Sequence, residues 1–217
     1  MDIDNVKFAL YLLIALVPAL VLHEYAHAFA ADRLGDPSPR RWGRLTLNPK
    51  PLIDPFGTLI LPGLALILVA SGAAFLIPVF AYAKPMPLDP NYFRDPRRHP
   101  LIVVWAGLLA DLAIAAVAGL ALRVGVTGDA ALVAYAFLIV NAFMFLIQLM
   151  PVPGLDGSML LARVLRGRAR EVYVNLDDYL VLFILLIFFL LGGPFLAIVD
   201  SLFSAICDVL AGTANCP

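Results

Sequence analysis

An all-α, polytopic membrane protein is what this sequence predicts, with about four to five transmembrane helices, a re-entrant segment and short β-strands at the membrane surface. Three observations carry that reading. Of 217 residues, 62% are hydrophobic and only 14% charged, whereas a water-soluble domain carries roughly 25% charge to solvate its surface. The apolar residues gather in runs at 8–31, 100–122, 130–152 and 179–200, each close to the ~20 residues that cross a bilayer. The basic residues are confined as well: of fifteen Lys and Arg, five lie in 33–55, four in 84–99 and four in 163–178. A net charge of −1 with no basic tract gives no reason to expect nucleic acid. The expected surroundings are lipid.

The first run, 8–31, follows an acidic leader (Asp2, Asp4) and reads as a retained helix, because a cleaved signal carries a basic leader and is lost from the mature chain. The stretch 57–83 is apolar but broken by Pro62-Gly63, Ser71-Gly72 and Pro78. Cytoplasmic loops collect Lys and Arg, and all three basic segments can face the cytoplasm only if 57–83 enters and leaves on one side, as a re-entrant hairpin. The N-terminus is then outside, helices 8–31 and 130–152 run inward, and 100–122 and 179–200 run outward, in a multi-pass arrangement in the cell (inner) membrane. "GRLTLNP" (43–49) alternates like a strand, so short strands are expected at 43–48 and 80–86, where an unwound substrate could pair by β-addition. Cys207 and Cys216 lack metal-ligand spacing and read as incidental thiols, a disulfide requiring an oxidising compartment. A single membrane-embedded domain, 1–217, is expected, with a core over about 8–165 and a C-terminal helix over about 179–200.

Chemistry concentrates in "LVLHEYAHAFAA" (20–31). His23 and His27 are four apart, hence on one helical face, as two ligands of one metal require. Glu24 is placed beside them to take a proton from water that the metal activates, rather than to bind the metal. The chain has three His and two Glu, so chance assembly of His-Glu-x-x-His is improbable, and ionisable groups inside a span are costly and mark function. Catalytic zinc takes three protein ligands and leaves a position for water, so one zinc ion per chain needs one more ligand. His99 lies in a basic loop and reads as interfacial. Asp111, mid-span, and Asp156, in "MPVPGLDGSML", are the acids available. Depth favours Asp156, because the inward helices 8–31 and 130–152 bring it to the level of His27.

The pair of motifs, HEYAH in the first span and "MPVPGLDG" after a later one, resembles the site-2 protease family of intramembrane zinc metalloproteases. "LGDPSPRRWGRLTLNPKPLIDPFGTLILP" and "AKPMPLDPNYFRDPRRHP" look like its compact bacterial members, without a PDZ or CBS domain. The resemblance covers about residues 8–165. It implies zinc on His23, His27 and Asp156, Glu24 as general base, and cleavage within or beside a transmembrane segment of a membrane-protein substrate. The inward direction of helices 8–31 and 130–152, given the re-entrant topology, separately puts the site toward the cytoplasmic face. Two positions depart from the family pattern. Gln148 stands where the family has an Asn thought to help hold substrate or the oxyanion, and Asp111 replaces the Asn of Ala-Gly-Pro-x-x-Asn. Those departures motivate an alternative, a catalytically silent relative that binds zinc or membrane proteins. A zinc transporter is a third reading, and it requires several ligand shells along a path.

Overall fold

The structure, a computed structural model, describes residues 3–71, 81–84, 86, 88–213 and 216. Among them the chain is helical: α1 (Ile3–Leu34), α2 (Ser38–Arg41), α3 (Leu61–Ala70), α4 (His99–Arg123), α5 (Asp129–Gln148), α6 (Asp156–Val164), α7 (Gly167–Val174) and α8 (Leu180–Ala211). Four stretches are long and apolar enough to cross a membrane: Asp4–Leu34, His99–Arg123, Asp129–Gln148 and Gly193–Ala211. Helices α1, α4 and α5 pack on one another, and α8 lies against α4 and α5. Their contacts are built on small side chains, with Ala15, Ala19, Ala115, Ala136 and Ala142 fully buried. In lipid, helices associate by close backbone approach rather than by the hydrophobic effect, which favours such residues at the interface. On the opposite side of α1, Leu10, Leu13, Ile14 and Val17 are 42–55% exposed, the apolar face expected where lipid is the solvent.

The polar loops gather at one end of this bundle. Buried Asp36 accepts hydrogen bonds from the Ser38 amide and, across the loops, from the Asp89 amide, each at 2.9 Å. Arg41 stacks on the Tyr92 ring, and the Arg94 amide donates to Leu34 O at 3.3 Å. Segments 33–55 and 84–99 are thereby tied together, and α6 packs against the start of α4 beside them. At the far end, Lys7 pairs with Asp129, and the Arg123 guanidinium donates to the carbonyls of Asp208 and Val209.

Three expectations change. Neither strand is present among the described residues. Over 43–50 the backbone is consumed by tight local turns: the Thr46 amide bonds Arg44 O, the Asn48 amide bonds Thr46 Oγ1, and the Lys50 amide bonds Asn48 Oδ1. Such side-chain-to-backbone bonds compete with a ladder. The last span does not close at 200, because Asp200 sits exposed on α8 without breaking it and the helix continues to Ala211. It ends at Gly212, whose φ of +85° few other residues adopt. Cys207 and Cys216 are bonded to each other rather than incidental thiols, with Cα atoms 5.9 Å apart. The re-entrant pass expected over 57–83 is not established by the fold, as residues 72–80 lie outside the described ones. Its described parts are a π-helical turn (Pro55–Ile60), α3, and the return at 81–84.

Candidate metal centre

Helix α1 carries His23 and His27 one turn apart, and α4 lies antiparallel across them. Both imidazoles are buried. Each is held by its Nδ1: that of His23 is 2.8 Å from Asp111 Oδ2, and that of His27 is 2.7 Å from the Val103 carbonyl. A carbonyl only accepts, so the His27 proton sits on Nδ1 and the Nε2 lone pair is free. The Asp111 carboxylate imposes the same tautomer on His23.

The two Nε2 atoms point at each other and at Asp156. His27 Nε2 is 2.9 Å from His23 Nε2 and 2.9 Å from Asp156 Oδ2, and His23 Nε2 is 3.2 Å from the same oxygen. Three acceptors thus converge with no proton among them to share. A cation offsets that repulsion, and two imidazoles with one carboxylate form a donor set that suits zinc. It is the one such group among the described residues.

Asp156 reaches this position because the chain turns sharply after α5. Leu149 caps α5, Pro151 and Pro153 prevent its continuation, and Asp156 opens α6. An ideal Cβ at Gly157 would lie 2.2 Å from Leu149 O, so only glycine lets the start of α6 press onto the end of α5. Tyr173 on α7 braces the turn by donating its hydroxyl to Pro151 O at 2.8 Å.

Beside the cluster is a cavity of about 320 Å³, lined by Glu24, His27, Gln148 and Asp156 among others. The Glu24 side chain forms no hydrogen bond among the described residues and is half-buried. Gln148 is buried with Oε1 lacking a hydrogen-bond partner. His99 lies apart, its Nδ1 3.2 Å from Leu34 O at the start of α4. The residues proposed from sequence as ligands and as catalytic groups therefore share one site, and His99 is outside it. Sequence reasoning singled out Asp111 but missed the buttress it forms on α4 with Val103 and Gly107. Val103, Gly107 and Asp111 recur every four residues on one face, as a partner helix to His23 and His27 requires. The Gly is compulsory, since a Cβ at 107 would fall 2.2 Å from His27 Nε2.

Similar proteins include the "Putative zinc metalloprotease YwhC" of Bacillus subtilis, 31% identical over 179 residues, or 78% of this chain and 75% of that one. The "Putative zinc metalloprotease Rip2" of Mycobacterium tuberculosis is 30% identical over 192 residues, covering 85% of this chain and 70% of the relative. No family model and no solved structure matches the chain.

Proposed function

The chain belongs to the site-2 protease family of zinc metalloproteases, and on that premise we propose that it is a membrane-embedded endopeptidase that cuts substrate proteins within or beside a transmembrane segment. The observation that carries the reading is the convergence of His23 Nε2, His27 Nε2 and Asp156 Oδ2 beside a cavity that also holds Glu24 and Gln148. Those three residues would hold one zinc ion. When bound, zinc supplies Lewis acidity, making an attacking water more acidic and polarising the scissile carbonyl. Glu24, which carries no competing hydrogen bond among the described residues, accepts a proton from the attacking water and passes one to the leaving amine. Gln148 offers its carboxamide to the developing oxyanion from a stem one methylene longer than the family's Asn. A donor of that kind contributes about 3–4 kcal/mol to a transition state.

The departures at 111 and 148 do not empty the site of chemistry. Asp111 accepts from His23 Nδ1 at 2.8 Å and so orients a ligand. Asp111→Ala, which removes the acceptor, is therefore expected to weaken zinc affinity about 10–100-fold, the effect of losing the group that orients a ligating histidine. Competition with a fluorescent zinc chelator measures it, and unchanged affinity would remove Asp111 from the site. The transporter reading has no second ligand shell among the described residues to support it.

Metal analysis alongside cleavage of a transmembrane test substrate decides the assignment. Wild type is expected to carry one zinc per chain and to cut, Asp156→Ala to lose both properties, and His99→Ala to keep both. Full zinc in Asp156→Ala would exclude this ligand set.

For orientation, the reading is that the three basic segments face the cytoplasm of a cell whose inner membrane holds the chain. It is supported by the ties between 33–55 and 84–99, and by the return of 81–84 to the start of its own segment. There the Tyr82 amide bonds Gly57 O at 3.2 Å and the Lys84 amide bonds Leu52 O at 2.9 Å, as a re-entrant pass requires. Cysteines placed at the exposed positions Lys50, Asn91 and Asn175 should resist an impermeant thiol reagent in intact cells, while one at Val124 should react. Labelling at 91 alone would mean that 57–83 spans.

A further inference from the structure

A second cavity, of about 480 Å³, opens next to the first. Leu88, Ser158, Met159 and Asp177 line both, so the two adjoin, and the second forms a trough beside the zinc-site cavity. One wall is the proline-rich loop with Pro90, Phe93 and Pro96, and the other is α6 and α7 with Arg163, Arg170 and Tyr173. Its character differs from that of the zinc site. Arg163 and Arg170 are exposed and make no ion pair or hydrogen bond among the described residues, so their charge is free to meet a ligand. The acid nearby, Asp177, is engaged, accepting from the Gly154 amide at 2.9 Å.

Helix α6 supplies the ruler. Asp156, Met159 and Arg163 fall on one face, at i, i+3 and i+7, and Asp156 and Arg163 are separated by about 10 Å at 1.5 Å per residue. An extended peptide covers that length in about three residues. Resting on the protease reading above, we propose that this trough binds the extended cytoplasmic flank of the substrate. The flank is recognised by an acidic side chain about three residues from the cleaved bond, which pairs with Arg163 and Arg170, while its apolar neighbours rest on Phe93 and the prolines. A lipid headgroup would need only the exposed arginines. It would have no use for a trough that adjoins the catalytic cavity, and the peptide accounts for both features.

The test uses full-length, zinc-loaded protein in detergent and a transmembrane peptide whose neutral flank carries a single Glu, walked one position at a time. Wild type is expected to cut best with Glu about three residues from the cleaved bond, by about tenfold over the neutral flank and through KM, the effect of one charge-assisted contact. Arg163→Glu with Arg170→Glu should abolish the preference and favour Lys at that position, with neutral-flank turnover little changed. Zinc content reports its folding, and the milder pair Arg163→Gln and Arg170→Gln should lose the preference without reversing it. Binding of the same peptides to the Glu24→Gln protein reads the same order without turnover. A protein that binds Glu flanks more tightly yet never cuts would leave this docking site standing and remove the protease reading. Equal Kd values for Glu, neutral and Lys flanks would overturn the docking site. So would a loss, in the double variant, that is uniform across flanks and follows the anionic lipid content of vesicles, which would assign the arginines to headgroups.

Discussion

Replacing Glu24 with Gln is expected to leave zinc and substrate binding at the wild-type level while cleavage falls by a factor of roughly 10² or more. The argument is geometric. Glu24 follows His23 directly, which rotates its side chain about 100° around α1, out of the ligand set and onto the cavity wall with His27, Gln148 and Asp156. Gln preserves size and hydrogen bonding but has no basic oxygen lone pair strong enough to hold a proton. Glu171, the other glutamate, is exposed on α7 among arginines and offers no substitute. Quantitative zinc analysis paired with single-turnover cleavage separates the two effects. Wild-type turnover by the variant would refute the mechanism, and loss of zinc would move Glu24 into the ligand set.

Gly107→Ala carries the second large effect, although residue 107 contributes no side chain to the chemistry. The added methyl carbon would stand 2.2 Å from His27 Nε2 and 2.4 Å from Cε1, far inside van der Waals contact. The imidazole cannot swing away without losing its bond to the Val103 carbonyl, so α1 and α4 must part or the ring must leave the cluster. Either outcome scatters the donors, and zinc occupancy and cleavage are both expected to fall to background. Gly193→Ala, where a Cβ meets nothing within 4 Å, is the matched control and should retain both. Full zinc and turnover in Gly107→Ala would show that the helix contact is not as close as described.

These two residues mark how far the sequence could be read. His23 and His27 were legible because helical spacing alone puts them in register, with Glu24 beside them, and the long apolar runs announced the spans. Asp156 was reachable because chain direction set its depth. The α4 buttress was not legible, since a glycine and a backbone carbonyl have no signature apart from the helix that packs on them. The alternating "GRLTLNP" misled for a related reason. A strand needs an edge to pair with, and the Thr46 and Asn48 side chains bond the local backbone instead. The final helix ran past its expected end because an exposed Asp200 does not stop a helix.

The Cys207–Cys216 bridge has a consequence for where the products of cleavage would go. Disulfides persist where oxidants reach them and are reduced in the cytosol. The bridge lies at the end of the bundle where Arg123 holds the carbonyls of Asp208 and Val209, whereas the candidate ligands His23 and His27 lie toward the opposite end of α1. On the orientation proposed above, the two ends would face compartments of different redox potential, with the proposed cutting level nearer the reducing one. A substrate helix severed at that level would keep most of its apolar length on the oxidising-side fragment, which would stay anchored. The other fragment would retain too short a greasy stub to remain in the bilayer, and would depart into the reducing compartment as a soluble peptide.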